Sequence, residues 1–154
     1  MTAMTKQKKS ALMKAADLLA YREHSEAQLK RKLLARRYDT SEVDATIDKL
    51  KRHHYLDDAE LCRQQFDSFW ADGRLSVRQI VVKLIQRGFD KDFIAELIPA
   101  DRDEHELHAA ILALTKKFTT RDENFRAKAW QFLSTRGFDG DIISTAIENF
   151  SERG

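Results

Sequence analysis

The tetrapeptide Arg-Gly-Phe-Asp occurs twice, as Arg87-Gly88-Phe89-Asp90 and as Arg136-Gly137-Phe138-Asp139, with apolar-rich stretches before and after each copy. Each residue type has a job where one helix ends and another begins. Gly supplies the left-handed backbone that closes a helix. Arg places a cation at the carbonyl end of the helix dipole. Phe folds back onto the helix pair, and Asp accepts bonds from the free N–H groups of the next helix. A degenerate third copy stands at Arg36-Arg37-Tyr38-Asp39. An offset of 51 residues carries Ser25 to Ser76, Leu29 to Ile80, Lys32 to Lys83, Leu33 to Leu84, Val43 to Ile94 and Ile47 to Ile98. A further offset of 49 carries Leu84 to Leu133, Ile94 to Ile143 and Ile98 to Ile147. A register held across two helices and the turn between them is the mark of an internal repeat.

The 154 residues suit one domain or a few small modules. One Pro and five Gly leave few helix breaks, and no stretch alternates as a strand does. The fold class expected is therefore all-α: three tandem three-helix repeats in an elongated, curved array. The boundaries expected are a mobile tail at 1–10 and repeats at 11–56, 57–100 and 101–154. A block of ~50 residues is near the lower limit for an independent core, so the three are expected to stack.

In chain order, the apolar spacing predicts helix one over 10–23, with Leu12, Ala15, Ala16 and Leu19 on its stripe. Ser25 and Gln28 form a capping-box pattern for helix two, whose inner residues are Leu29, Leu33 and Leu34. Asp39 or Ser41 starts helix three. Tyr55 and Leu56 are expected to pack in the next turn, with Asp57 and Asp58 opening helix four. Ser76 opens helix five, carrying Ile80, Leu84 and Ile85, and Pro99 stops helix six. Helices seven, eight and nine follow Leu107 to Phe118, Phe125 to Leu133 and Ile142 to Phe150. Trp70 and Trp130 both fall at apolar spacings and are expected in the core.

The chemistry of a conventional enzyme is missing from the sequence. Every Gly sits at a helix end, so there is no Gly-rich phosphate cradle and no dinucleotide fingerprint. His105-Glu106-Leu107-His108 places its histidines three apart, one short of a zincin pair, and no third ligand follows nearby. No cofactor or metal is expected. The single cysteine, Cys62, excludes an internal disulfide framework and suits a reducing, cytoplasmic setting. No apolar run approaches the ~20 residues of a membrane span.

What remains is a charged surface. Net charge is +2. Residues 1–56 carry 13 Lys/Arg against 7 Asp/Glu, whereas 57–104 carry 7 against 11. Lys32 and Arg36 lie one turn apart, their equivalents are Lys83 and Arg87, and the third copy keeps Arg136 with Phe132 in the Lys position. With Lys30, Arg31 and Arg37 in the first repeat and Arg126 and Lys128 in the third, these cations could follow phosphates or the acidic rim of a protein groove.

One further pattern carries a resemblance. Tyr55-Leu56-Asp57-Asp58, then Gly73, then Leu84-Ile85-Gln86-Arg87-Gly88-Phe89 is similar to the RecX regulatory protein family, whose pattern is a Gly-Tyr-Leu-Asp-Asp run, an aromatic helix and a Lys-Gly-Ile-like turn. Here His54 replaces the Gly, and Arg87-Gly88-Phe89 replaces Lys-Gly-Ile. The opening Ser25-Glu26-Ala27-Gln28-Leu29 with Arg31-Lys32-Leu33 fits, as does the close, Lys128 through Phe138 with Ile142-Ile143. The match spans residues 11–150. It implies three tandem three-helix repeats without catalysis, in a negative modulator of the RecA recombinase; a monomer is expected. Members are held to lie in the groove of the RecA–DNA filament, hinder its growth, and lower ATP hydrolysis, strand exchange and repressor cleavage. The family offers no short motif of proven contacts to transfer. Arg37, in the place of a turn Gly, predicts a strained first turn costing about 1 kcal/mol. The competing expectation is a helical protein that binds nucleic acid directly, without sequence preference; the low net charge and acidic middle weigh against it.

Overall fold

The computed structural model describes residues 8–153, with side chains through residue 150. Among the described residues there are nine α-helices and no strand: α1 Ala11–Tyr21, α2 Glu26–Ala35, α3 Thr40–Arg52, α4 Asp58–Asp72, α5 Val77–Gln86, α6 Lys91–Leu97, α7 Asp103–Lys117, α8 Phe125–Thr135 and α9 Gly140–Arg153. The all-α expectation holds, with most helix ends within two residues of those expected. The chain divides into two compact units. One runs up to Leu61 and includes the turn Arg87–Phe89; the other comprises Cys62–Gln86 and the chain from Asp90 onward.

The first unit is built on α1, α2 and α3. The capping box of α2 is complete: Gln28 N donates to Ser25 Oγ at 3.1 Å, and Ser25 N donates to Gln28 Oε1 at 2.9 Å. Asp39 takes the N-cap position of α3, without a side-chain bond. Ala11, Ala15, Leu29, Leu33, Val43, Ile47 and Leu50 form the core, closed by Tyr38 and Leu56. Each fully buried Leu contributes about 1.5–3 kcal/mol relative to exposure. Leu34, expected inside, is 38% exposed, because one step past Leu33 turns a helix side chain through about 100°. Ala16 is exposed for the same reason. Of the turn pair, Leu56 is buried whereas Tyr55 points outward and is 72% exposed.

Residues 1–7 of the expected mobile tail lie outside the described residues. Residues 8–10 are tied down: Tyr38 Oη donates to the Lys9 carbonyl at 2.7 Å, Lys8 Nζ donates to the Arg36 carbonyl at 2.7 Å, and Ser10 caps α1.

In the second unit, α7, α8 and α9 enclose Ala109, Ala110, Leu114, Phe125, Ala129, Leu133, Phe138, Ile143, Ala146 and Ile147. Val77, Ile80 and Leu84 form the buried stripe of α5. Ile85, expected inside, is 46% exposed, again one step past the stripe. Trp130 is corrected in the same way: it follows buried Ala129 and is 44% exposed. Trp70 is half-buried and stacks on Phe66 and on His105. α6 stops at Leu97, and Ile98 is extended (ψ 121°), as a residue before proline prefers.

The helix ends carry part of the chemistry expected of the repeated tetrapeptide. α2 and α8 close with matching bonds: Tyr38 N to Leu33 O and Arg37 N to Leu34 O, then Phe138 N to Leu133 O and Gly137 N to Ser134 O. This is the Schellman arrangement, with the aromatic folded over the last turn. α3 ends likewise, with Tyr55 N on Leu50 O and His54 N on Lys51 O. Phe89 and Phe138 are each 5% exposed, and Asp90 caps α6 through the N–H groups of Asp92 and Phe93.

Candidate partner-binding surfaces

Two serines place the helices that bear the candidate cations. In the first unit, Ser25 Oγ donates to the carbonyl of Arg87. In the second, Ser76 Oγ donates to the carbonyl of Arg136 at 2.6 Å. Each serine also accepts the N3 amide of its own helix, from Gln28 and from Gln79. Both are fully buried, so loss of either hydroxyl strands a carbonyl as well as uncapping a helix. An acidic side chain completes each joint. Asp58 accepts the Glu26 N–H at 2.9 Å, and Glu106 accepts the Val77 N–H at 2.7 Å. Burial raises the pKa of both carboxyls, against the opposing pull of those amide bonds.

These joints account for His105 and Glu106 of the His105–His108 tetrapeptide. Glu106 holds the start of α5. His105 Nε2 donates to the Leu75 carbonyl at 2.9 Å while its ring stacks on Trp70 with centroids 3.9 Å apart. Among the described residues no group of three or more His, Cys, Asp or Glu is placed to hold a metal ion.

On the first unit the candidate cations are mostly engaged. Lys30 pairs with Asp44 at 3.1 Å. Arg36 donates through its guanidinium to the Lys32 carbonyl at 3.2 Å. Arg37 is exposed beside Lys8, Lys9 and Glu42. Arg87 is half-buried. Lys32 reaches back to His24, with Nζ 2.7 Å from Nε2, while His24 Nδ1 is 2.8 Å from the Arg22 carbonyl. A carbonyl only accepts, so Nδ1 carries the hydrogen and Nε2 accepts from the ammonium. His24 is therefore neutral in this arrangement. Burial, then the neighbouring Lys32 and Arg22 charges, push its pKa down against the Arg22 carbonyl, which favours protonation. The Lys32 pKa is also lowered, by burial first and then by Arg22 and Arg36.

On the second unit, Lys83 and Arg136 come together. They line a cleft of about 940 Å³ walled by α4, α5, α7 and α8. The Arg136 guanidinium lies over the Phe132 ring at 3.9 Å, and Lys117 Nζ is 6.0 Å from the same ring. Arg126 is exposed on α8. Lys128, also on α8, pairs with Asp122 at 3.2 Å. The nine candidates thus separate into the Lys30, Lys32, Arg36, Arg37 and Arg87 group of the first unit, the Lys83 and Arg136 cleft, and Arg126 with Lys128.

Residues 11–50 match the family model described as RecX, first three-helix domain. The chain is 34% identical over 148 residues to the regulatory protein RecX of Deinococcus radiodurans, covering 95% of this chain and 71% of that one. The chain belongs to the RecX regulatory protein family. The RecX of Chromobacterium violaceum is 30% identical over 146 residues, covering 94% and 93% of the two chains. The crystal structure of RecX from Lactobacillus salivarius superposes with a TM-score of 0.74 at 18% identity, covering 92% of this chain and 94% of that one, which shows a shared fold.

Within this RecX-family chain, sequence reasoning missed Lys116 and Lys117, which line the cleft with Lys83 and Arg136. Their only local signal is their place in the last turn of α7, where a cation suits the dipole anyway. It also missed that Asp58 caps α2 rather than only opening α4.

Proposed function

We propose that this protein is a non-enzymatic negative regulator of the RecA recombinase. It binds the RecA–DNA filament and limits its extension, ATP hydrolysis, strand exchange and co-protease activity. Membership of the RecX family over nearly the whole chain carries this reading. The cationic surfaces support it: a RecA–DNA filament offers phosphates at regular intervals, and Lys83 with Arg136 offers a positive cleft. The division into three repeats, at 11–56, 57–100 and 101–154, belongs to the same proposal. Several weak contacts on one chain gain strongly from effective concentration. Bound across neighbouring filament subunits, the protein would resist the rearrangement that accompanies nucleotide turnover, or block the growing end.

The test is RecA ATP hydrolysis on single-stranded DNA with substoichiometric amounts of this protein. Inhibition is expected, and inhibition well below one copy per RecA assigns end-capping over coating. Unchanged hydrolysis at equimolar protein rejects the proposal. Charge reversal of Lys32, Arg36, Lys83 and Arg87 is expected to relieve inhibition; full inhibition by that variant rejects the surface. Titration of naked DNA across salt tests the competing reading, which requires tight binding with a steep salt slope.

A further inference from the structure

We infer that the cleft of the second unit is a docking site for an acidic peptide segment carrying one large apolar side chain. The inference deepens the proposed function and rests on it, since it names the chemistry a filament partner would present to Lys83 and Arg136.

The floor of the cleft is apolar and half-buried: Phe69, Leu75, Ala113 and Phe132, with Leu112 at the edge 38% exposed. The rim is cationic. Lys83 and Lys116 are exposed, and among the described residues neither has a carboxylate at salt-bridge distance. Lys117 and Arg136 lie over Phe132. Among the described residues the one acid lining the cleft, Asp72, is already paired with Arg74 at 2.7 Å. The site therefore offers several uncompensated positive charges around an apolar recess large enough for an aromatic or branched aliphatic group. Such a recess with a charged rim fits a peptide anchor flanked by carboxylates.

The same geometry disfavours single-stranded nucleic acid. Base stacking needs an open aromatic face. One face of Phe132 is covered by the Arg136 guanidinium, so a base stacking there would have to displace a cation–π contact. A carboxylate requires no such displacement, because a guanidinium stacked on a ring can still take a carboxylate on its N–H edge, in plane.

The test uses the full chain and a short fluorescein-labelled peptide with aspartates and glutamates on both sides of a single phenylalanine. Saturable binding by fluorescence anisotropy is expected. Lys83→Glu combined with Lys116→Glu is expected to weaken it by more than about tenfold. Leu112→Ser should weaken the phenylalanine peptide by about fivefold and leave a serine-for-phenylalanine version unchanged. All three positions are exposed, and retained helical circular dichroism confirms that the variants fold. Absence of saturable binding overturns the inference, and so does equal binding of the peptide without phenylalanine. An oligothymidylate of equal charge that binds more tightly and displaces the peptide assigns the cleft to nucleic acid instead. Peptide binding with no effect on RecA hydrolysis rejects the proposed function and leaves the cleft standing. RecA inhibition without peptide binding rejects the cleft and leaves the function.

Discussion

The turns that follow α2 and α8 place a left-handed residue at the same point, yet one uses Arg37 (φ +66°) and the other Gly137 (φ +87°). The surroundings explain the difference. Arg37 is exposed, so its side chain has room and only the backbone strain of a non-Gly left-handed residue, about 1 kcal/mol, must be carried. Gly137 lies against Arg78: a Cβ there would come within 2.7 Å of Arg78 Cβ and 2.9 Å of its Cγ. Gly88 (φ +93°) repeats the situation in the first unit, where a Cβ would overlap the Ala27 methyl. Ala27 and Arg78 are 51 residues apart, each two residues after its buried capping serine, Ser25 or Ser76. His54 (φ +61°), standing where the family pattern has Gly, behaves like Arg37 and is exposed. Glycine is thus demanded less by dihedral angle than by the close approach of another helix.

That contrast can be broken most sharply at Gly88. Gly88→Ala is expected to cost about 3 kcal/mol in urea denaturation, the sum of left-handed strain and an overlap with a methyl fixed on α2. Ala27→Gly in the same chain should recover about 1 kcal/mol or more beyond additivity. Simple additivity would show that the contact is not the cause. Gly137→Ala should cost somewhat less, because the outer atoms of Arg78 can swing aside while its Cβ cannot.

Next in size are the two serines. Ser76→Ala is expected to destabilise by about 2 kcal/mol, combining a lost N-cap with a stranded Arg136 carbonyl. Ser25→Ala should act alike. An effect within about 0.5 kcal/mol, typical of exposed surface sites, would mean that water replaces the hydroxyl freely.

A pH series separates the units in another way. His24 has a folded pKa below its ordinary 6.5, so the unfolded chain binds the proton more readily. Its contribution to stability is complete above 6.5, falls as the pH drops through that value, and levels off below the depressed folded pKa. Thermal melts should show this slope, and His24→Gln should remove it. Glu106 works in the opposite sense: its raised pKa means that stability declines as the pH rises from its ordinary 4.5 through the folded value. Glu106→Gln should flatten that interval.

The smallest expected effect is at Arg37→Gly. Relief of left-handed strain is offset by the greater freedom of Gly in the unfolded chain, leaving a gain below about 1 kcal/mol. A clear loss would mean that Arg37 makes a contact that the exposed turn does not show.

Much of this molecule was legible before any coordinates. Leu29 with Leu33, Val43 with Ile47 and Leu84 with Leu133 mark the buried stripes, because apolar spacing follows the helix period directly. Ser25 with Gln28 marked a helix start, since a capping box is local chemistry. The neighbours of those stripes were harder. Leu34, Ile85 and Trp130 are apolar and one residue away from a buried position, and only the width of the packed face decides whether such a residue is covered.

The amino-acid sequence by itself determined the helices, several of their caps, the repeated tetrapeptide and the family, because all of these rest on interactions within a few residues or on the order of residues. Tertiary structure alone decided why Gly88 and Gly137 are glycine while Arg37 is not, why Ser25 and Ser76 are buried, and that Lys83, Lys116, Lys117 and Arg136 border one cleft. Those outcomes join residues some twenty to sixty positions apart, and no local pattern encodes the distance between side chains that meet only when separate helices pack.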